Sequence, residues 1–127
     1  MVNMEEEKLE KICTISEEKI SFTKNDFIEK QTEDYILNWL VPNAQKNAME
    51  PTKIKLFAGH STEQDIPHEG EEFGYVLKGE IVIILGKRKI KVKKGESFYY
   101  SADKVHSIVN KSSSDAEFIW VSSPPSF

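Results

Sequence analysis

His68, Glu72 and His106 are the residues of this chain whose types and spacing could do chemistry. Two imidazoles and one carboxylate form a facial set suited to Fe(II), Mn(II), Ni(II) or Zn(II), with coordination positions left open for a ligand. His68 and Glu72 are four apart in a segment, Pro67 to Lys78, that runs into Tyr75-Val76-Leu77. In an extended strand of period two both side chains face the same way. His106 lies in a second β-rich stretch, Lys104 to Val109, which strand pairing can bring to the same interior. The plainer alternative is two partly buried histidines held by hydrogen bonds, with Glu72 a solvated strand carboxylate.

Short strands must position these residues. Tyr35 to Val41 is apolar, rich in aromatics and closed by Pro42-Asn43, which reads as a strand. Further strands are expected at Lys53 to Phe57, Glu72 to Leu77, Glu80 to Leu85, Arg88 to Val92, Ser97 to Tyr100, Val105 to Val109 and Glu117 to Val121. Turns at Gly59, Lys78-Gly79, Gly86-Lys87 and Lys94-Gly95 separate several of them, and Pro124-Pro125 ends the last. Such regular spacing predicts an all-β barrel or sandwich. Ile81, Ile83 and Leu85 alternate with Val82 and Ile84, so that strand is expected to be buried on both faces, one toward the barrel interior and one toward a subunit interface. A homodimer is the expected state. Trp39, Phe98 and Trp120 read as wall and core. Ahead of the strands, Glu5 to Ile12 reads as a short helix, and Thr14 to Lys30 as one or two short strands.

With 127 residues the chain has the size of one domain, which buries on the order of two thirds of its unfolded surface. Its net charge is −4, with cationic and anionic residues interleaved. The most basic stretch, Lys87 to Lys94, alternates with Ile90 and Val92 and reads as a strand with a solvated outer face, so no direct nucleic-acid contact is expected. Cys13 is the single cysteine, which excludes an intrachain disulfide and a thiolate metal cluster. Beside Ile12 and Ile15 it reads as a small hydrophobe. The amino terminus lacks a basic and apolar leader, and no apolar run approaches the length a bilayer requires; a cytoplasmic protein with no membrane contact is expected.

Two motifs in this sequence match a family pattern. The first has two histidines separated by one residue, then a Glu, then six residues and a Gly; His68, Glu72 and Gly79 hold three of those places and Ile66 stands where the first histidine belongs. The second runs from Gly95 to His106 and Asn110, with Ser101 and Asp103 replacing a Pro and a Gly. On these residues the chain resembles the cupin superfamily. The wording His68-Glu-Gly-Glu-Glu-Phe-Gly-Tyr-Val-Leu-Lys-Gly-Glu80, with the closing Trp120-Val-Ser-Ser-Pro-Pro-Ser-Phe127, is similar to the C-terminal cupin domain of bacterial helix-turn-helix regulators.

The resemblance implies a double-stranded β-helix, or jelly-roll, barrel over residues 31–127, preceded by an extension or linker over residues 1–30. It also implies a small-molecule-sensing domain of a transcriptional regulator. In that reading His68, Glu72 and His106 orient the ligand directly or through a divalent metal (Zn, Fe, Mn or Ni), and Tyr75, Tyr100 and Asn110 are further polar candidates. Tyr75 sits one step out of phase with Glu72. With Ile66 in place of a ligand, the metal set is incomplete and three octahedral positions stay open. His60 is either a replacement ligand or an exposed loop histidine. No nucleophile and base pair is evident, which favours binding over catalysis. The alternative is a stand-alone metal-dependent enzyme, a dioxygenase, isomerase or lyase on a small acid or sugar. A structural dimer with an inert barrel is the third class.

Overall fold

Short runs rich in apolar and aromatic residues, separated by turns, are what the chain builds its sheets from. A computed structural model describes residues 19–42 and 46–125. The expected helix at Glu5 to Ile12, and Cys13, lie outside the described residues. The described residues form nine strands: β1 (Ile28–Gln31), β2 (Tyr35–Trp39), β3 (Glu50–Leu56), β4 (Glu71–Lys78), β5 (Glu80–Leu85), β6 (Arg88–Lys93), β7 (Ser97–Ser101), β8 (His106–Val109) and β9 (Ala116–Ser123). All pairings are antiparallel. One sheet runs β1-β2-β3-β9-β4-β7 and the other β6-β5-β8.

The fold is all-β, as the strand spacing predicts, and no α-helix is present among the described residues. Among the described residues of the stretch expected to hold one or two strands, Thr14 to Lys30, only β1 forms, and its four residues are exposed; it pairs with β2 alone at the sheet edge. Inward residues of the two sheets share one core, to which Ile54, Leu56, Val76 and Phe118 come from one sheet and Ile81, Ile83 and Ile108 from the other. Phe118 is fully buried, and its truncation to Ala is worth about 3–5 kcal/mol.

Two glycines fix the approach to the site. Gly79 turns β4 into β5 with φ at +75°, a conformation L side chains rarely adopt. Gly74 has ordinary φ, but a Cβ there would stand 2.1 Å from the Phe98 ring, so β4 and β7 can close only over a hydrogen. In β5, Ile81 and Ile83 are buried as expected, while Val82, Ile84 and Leu85 are half-buried.

Candidate functional site

Register places the first acidic residue. Glu72 sits opposite Tyr100 of β7 and Ser122 of β9, on the inward face of β4. It is 3% exposed. Its Oε1 accepts hydrogen bonds from the Tyr100 hydroxyl at 2.5 Å and from Trp120 Nε1 at 2.9 Å. Burial acts to raise the Glu72 pKa, yet the opposing pull of His106, Tyr100 and Trp120 prevails and holds the carboxyl below the usual carboxylate range. Burial, with the Glu72 charge added, pushes the Tyr100 hydroxyl far above its ordinary value, so it remains a neutral donor.

His106 opens β8 and is fully buried. Its Nδ1 lies 2.8 Å from the Lys104 carbonyl and donates to it, which leaves Nε2 facing the carboxylates. Nε2 stands 3.4 Å from Glu72 Oε2 and 3.5 Å from Asp65 Oδ2 and has no hydrogen-bond partner. Burial lowers the His106 pKa, but Glu72, the Lys104 carbonyl and Asp65 raise it by more, and the net shift is upward.

His68 reaches the site by a route different from the strand the spacing suggests. It precedes β4, in a loop broken by Pro67 and by Gly70 at φ +133°. That loop is pinned to the β7–β8 connection, where His68 N donates to the Ala102 carbonyl and Ala102 N to the Gly70 carbonyl. The His68 Nδ1 lies 3.2 Å from the Glu69 carbonyl and its Nε2 3.7 Å from Glu72 Oε2. One donor atom from each of His68, Glu72 and His106 lies within 4.8 Å of the others. Two donors each ~2.1 Å from a metal stand about 3.0 Å apart at 90° and about 3.4 Å apart at the tetrahedral angle. The two separations onto Glu72, 3.4 Å from His106 and 3.7 Å from His68, lie close to that, and the orphaned, buried Nε2 of His106 is the kind of atom a metal or a ligand would satisfy. The residues fit a divalent ion.

Glu72 and Asp65 line a cavity of about 230 Å³, walled by Tyr35, Trp39 and Trp120. Glu50 and Glu63 also line it; Glu50 accepts from Trp39 Nε1, and Glu63 from the Tyr35 hydroxyl at 2.8 Å. Lys30 is the one lysine in the lining.

The remaining polar candidates divide. Tyr100 stands in the site. Tyr75 does not: it is 42% exposed on the outer face of β4, one step out of phase with Glu72. Asn110 is fully buried, with its amide nitrogen donating to the Leu56 and Ser114 carbonyls and its oxygen accepting from the Ser112 amide and hydroxyl. Each of its polar atoms is occupied in holding the loop after β8. The His60 Nδ1 pairs with Asp34 at 2.7 Å, away from the three-residue group.

Sequence reasoning missed Asp65, Glu50 and Glu63 and took Trp120 only for wall and core. Trp120 shares the inward phase of Phe118 on a strand of period two, a signal that could have marked its indole as site-facing.

The family model for the cupin domain matches residues 54–122. The chain belongs to the cupin family. Among curated proteins, the HTH-type transcriptional regulator PuuR of Escherichia coli (strain K12) is 28% identical over 112 residues, 87% of this cupin chain. The chain spans 60% of that relative's length. Among solved structures, the Cupin_2 domain of an XRE family transcriptional regulator from Enterobacter cloacae aligns with a TM-score of 0.65 at 21% identity, covering 73% of this chain and 99% of that one. A predicted oxalate decarboxylase from Thermotoga maritima aligns with a TM-score of 0.70 at 20% identity, covering 82% and 98%. This cupin barrel is therefore related to regulator domains and shares its jelly-roll fold with a protein described as an enzyme.

Proposed function

We propose that this cupin domain binds a small molecule for a transcriptional regulator, with a divalent metal held by His68, Glu72 and His106 beside the ligand. The observation that carries the reading is the His106 Nε2, wholly buried, without a hydrogen-bond partner and set between two carboxylates that line a cavity. Bound there, a divalent ion would supply an electrophile that polarises an oxygen or nitrogen of the ligand. Tyr100 and Trp120 hold the Glu72 carboxylate ionised and fixed in orientation. Trp39, Trp120 and Tyr35 offer aromatic walls, and four carboxylates against one lysine favour a cationic or neutral occupant over an anion.

Likeness to regulator domains supports sensing. Sensing requires two states of different ligand affinity, and this reading gives DNA contact to a segment or partner outside the barrel. It further takes the domain as a cytoplasmic homodimer that uses the half-buried Val82 and Ile84 face of β5. No helix among the described residues is long and apolar enough to cross a membrane. A thermal-shift screen of small metabolites against the metal-loaded domain tests the proposal. A ligand that raises Tm in the wild type and not in His106→Ala supports it, while stabilisation equal in both variants, or none at all, counts against it.

The open coordination positions and the likeness to the Thermotoga maritima protein favour a second reading, a metal-dependent cupin enzyme. Turnover of a bound ligand, read as oxygen consumption or carbon dioxide release, would decide for it.

A further inference from the structure

Ile66 stands where the family pattern has its first histidine, and its side chain cannot ligate; it is 76% exposed. The residue before it is placed otherwise. Asp65 and His106 face each other across a β-bridge, with Asp65 N donating to the His106 carbonyl at 2.7 Å and His106 N to the Asp65 carbonyl at 3.1 Å. That pairing fixes the two backbones together, and it brings Asp65 Oδ2 to 3.5 Å from His106 Nε2, nearly the 3.4 Å that separates this nitrogen from Glu72. Asp65 lines the cavity together with Glu72, and a second surface hollow together with His68. Among the described residues its carboxylate accepts no hydrogen bond and has His106 as its one ion-pair partner.

We infer that Asp65 is the fourth protein ligand of the metal centre, taking over the coordination position that Ile66 vacates. The inference rests on the metal reading above. Asp65 lies outside the tightest group of three donors, and its half-exposed side chain has the freedom to close onto an ion. Exchanging an imidazole for a carboxylate alters the centre. Glu72 and Asp65 together neutralise a divalent charge, where three histidines and one glutamate would leave a net positive site. Oxygen donors also suit harder ions such as Mn(II) and Fe(II) better than a third imidazole would. A neutral centre attracts anionic ligands less, in keeping with the acidic cavity around it.

A merely electrostatic role must be separated from ligation. Glu63 provides the control, since it lines the same cavity and bonds Tyr35 rather than His106. The metal-free domain is titrated with Mn(II) and with Co(II), by chelator competition and by the Co(II) absorption spectrum, in the wild type, Asp65→Asn, Glu63→Gln and His106→Ala. Asp65→Asn is expected to weaken binding at least tenfold and to change the Co(II) bands, with Glu63→Gln shifting affinity by less than about threefold at an unchanged spectrum. If Asp65→Asn behaves like Glu63→Gln while His106→Ala loses metal, Asp65 is no ligand and the metal reading stands. A wild type that binds no better than His106→Ala overturns both.

Discussion

The two faces of β4 are made by neighbouring residues of one strand, yet they differ in almost every property. Inward, Glu72 and Val76 are buried, and Gly74 lets the Phe98 ring close over the strand. Outward, Phe73, Tyr75 and Leu77 are 45%, 42% and 38% exposed. Tyr100 and Tyr75 sharpen the contrast: Tyr75 follows Glu72 by three residues on the same strand, Tyr100 lies opposite it in register, and only Tyr100 reaches the carboxylate. Chemistry in this fold is therefore decided by strand phase more than by residue type.

The largest expected effect on that contrast comes from Glu72→Ala. It leaves the Tyr100 hydroxyl and the Trp120 indole without their shared acceptor and removes the buried carboxylate beside His106, and urea unfolding of the metal-free domain should show a loss of about 3–5 kcal/mol. Gly74→Ala tests the same face by volume; with a Cβ 2.1 Å from Phe98, a destabilisation of about 1–3 kcal/mol is expected in the same assay. Tyr100→Phe removes one donor to a charged acceptor and should cost about 1.5–3 kcal/mol where Glu72 is ionised, with the difference vanishing once acid protonates Glu72. Tyr75→Phe on the outer face should change stability by less than about 0.5 kcal/mol and leave metal affinity untouched.

The inward site should also respond to pH. Glu72 has a depressed pKa in the fold, so its contribution is present above the unfolded value and is lost as pH falls through the folded one. His106 has a raised pKa, so its contribution is full below the unfolded value and is lost as pH rises through the folded one. Chemical unfolding of the metal-free domain across pH should give a maximum between those limits, and His106→Ala should remove the alkaline limb. A metal ion taken up at His106 would compete with its proton, so affinity should rise with pH through the range in which His106 titrates.

Most strands were legible from sequence because they are short apolar or alternating runs that end at turn residues; β4 through β9 fall within a residue or two of their expected bounds. The stretch before Lys30 was not, since Ile20, Phe22 and Phe27 follow no period, and β1 is an exposed edge strand that its partner β2 specifies. That His68, Glu72 and His106 converge was readable from residue type and motif. Asp65 was hidden because its approach to His106 depends on a bridge between residues about forty positions apart in sequence. Asn110 shows the converse, as a motif position suggested a ligand contact where the side chain locks a loop.

The most direct test is calorimetric titration of the metal-free domain with Zn(II) near pH 6, in two buffers of different ionisation enthalpy, for the wild type and His106→Ala. The expected result is binding near one ion per chain with proton release in the wild type, and loss of both in the variant. Absence of binding in the wild type, or binding unchanged by the substitution, would contradict a metal centre at His68, Glu72 and His106.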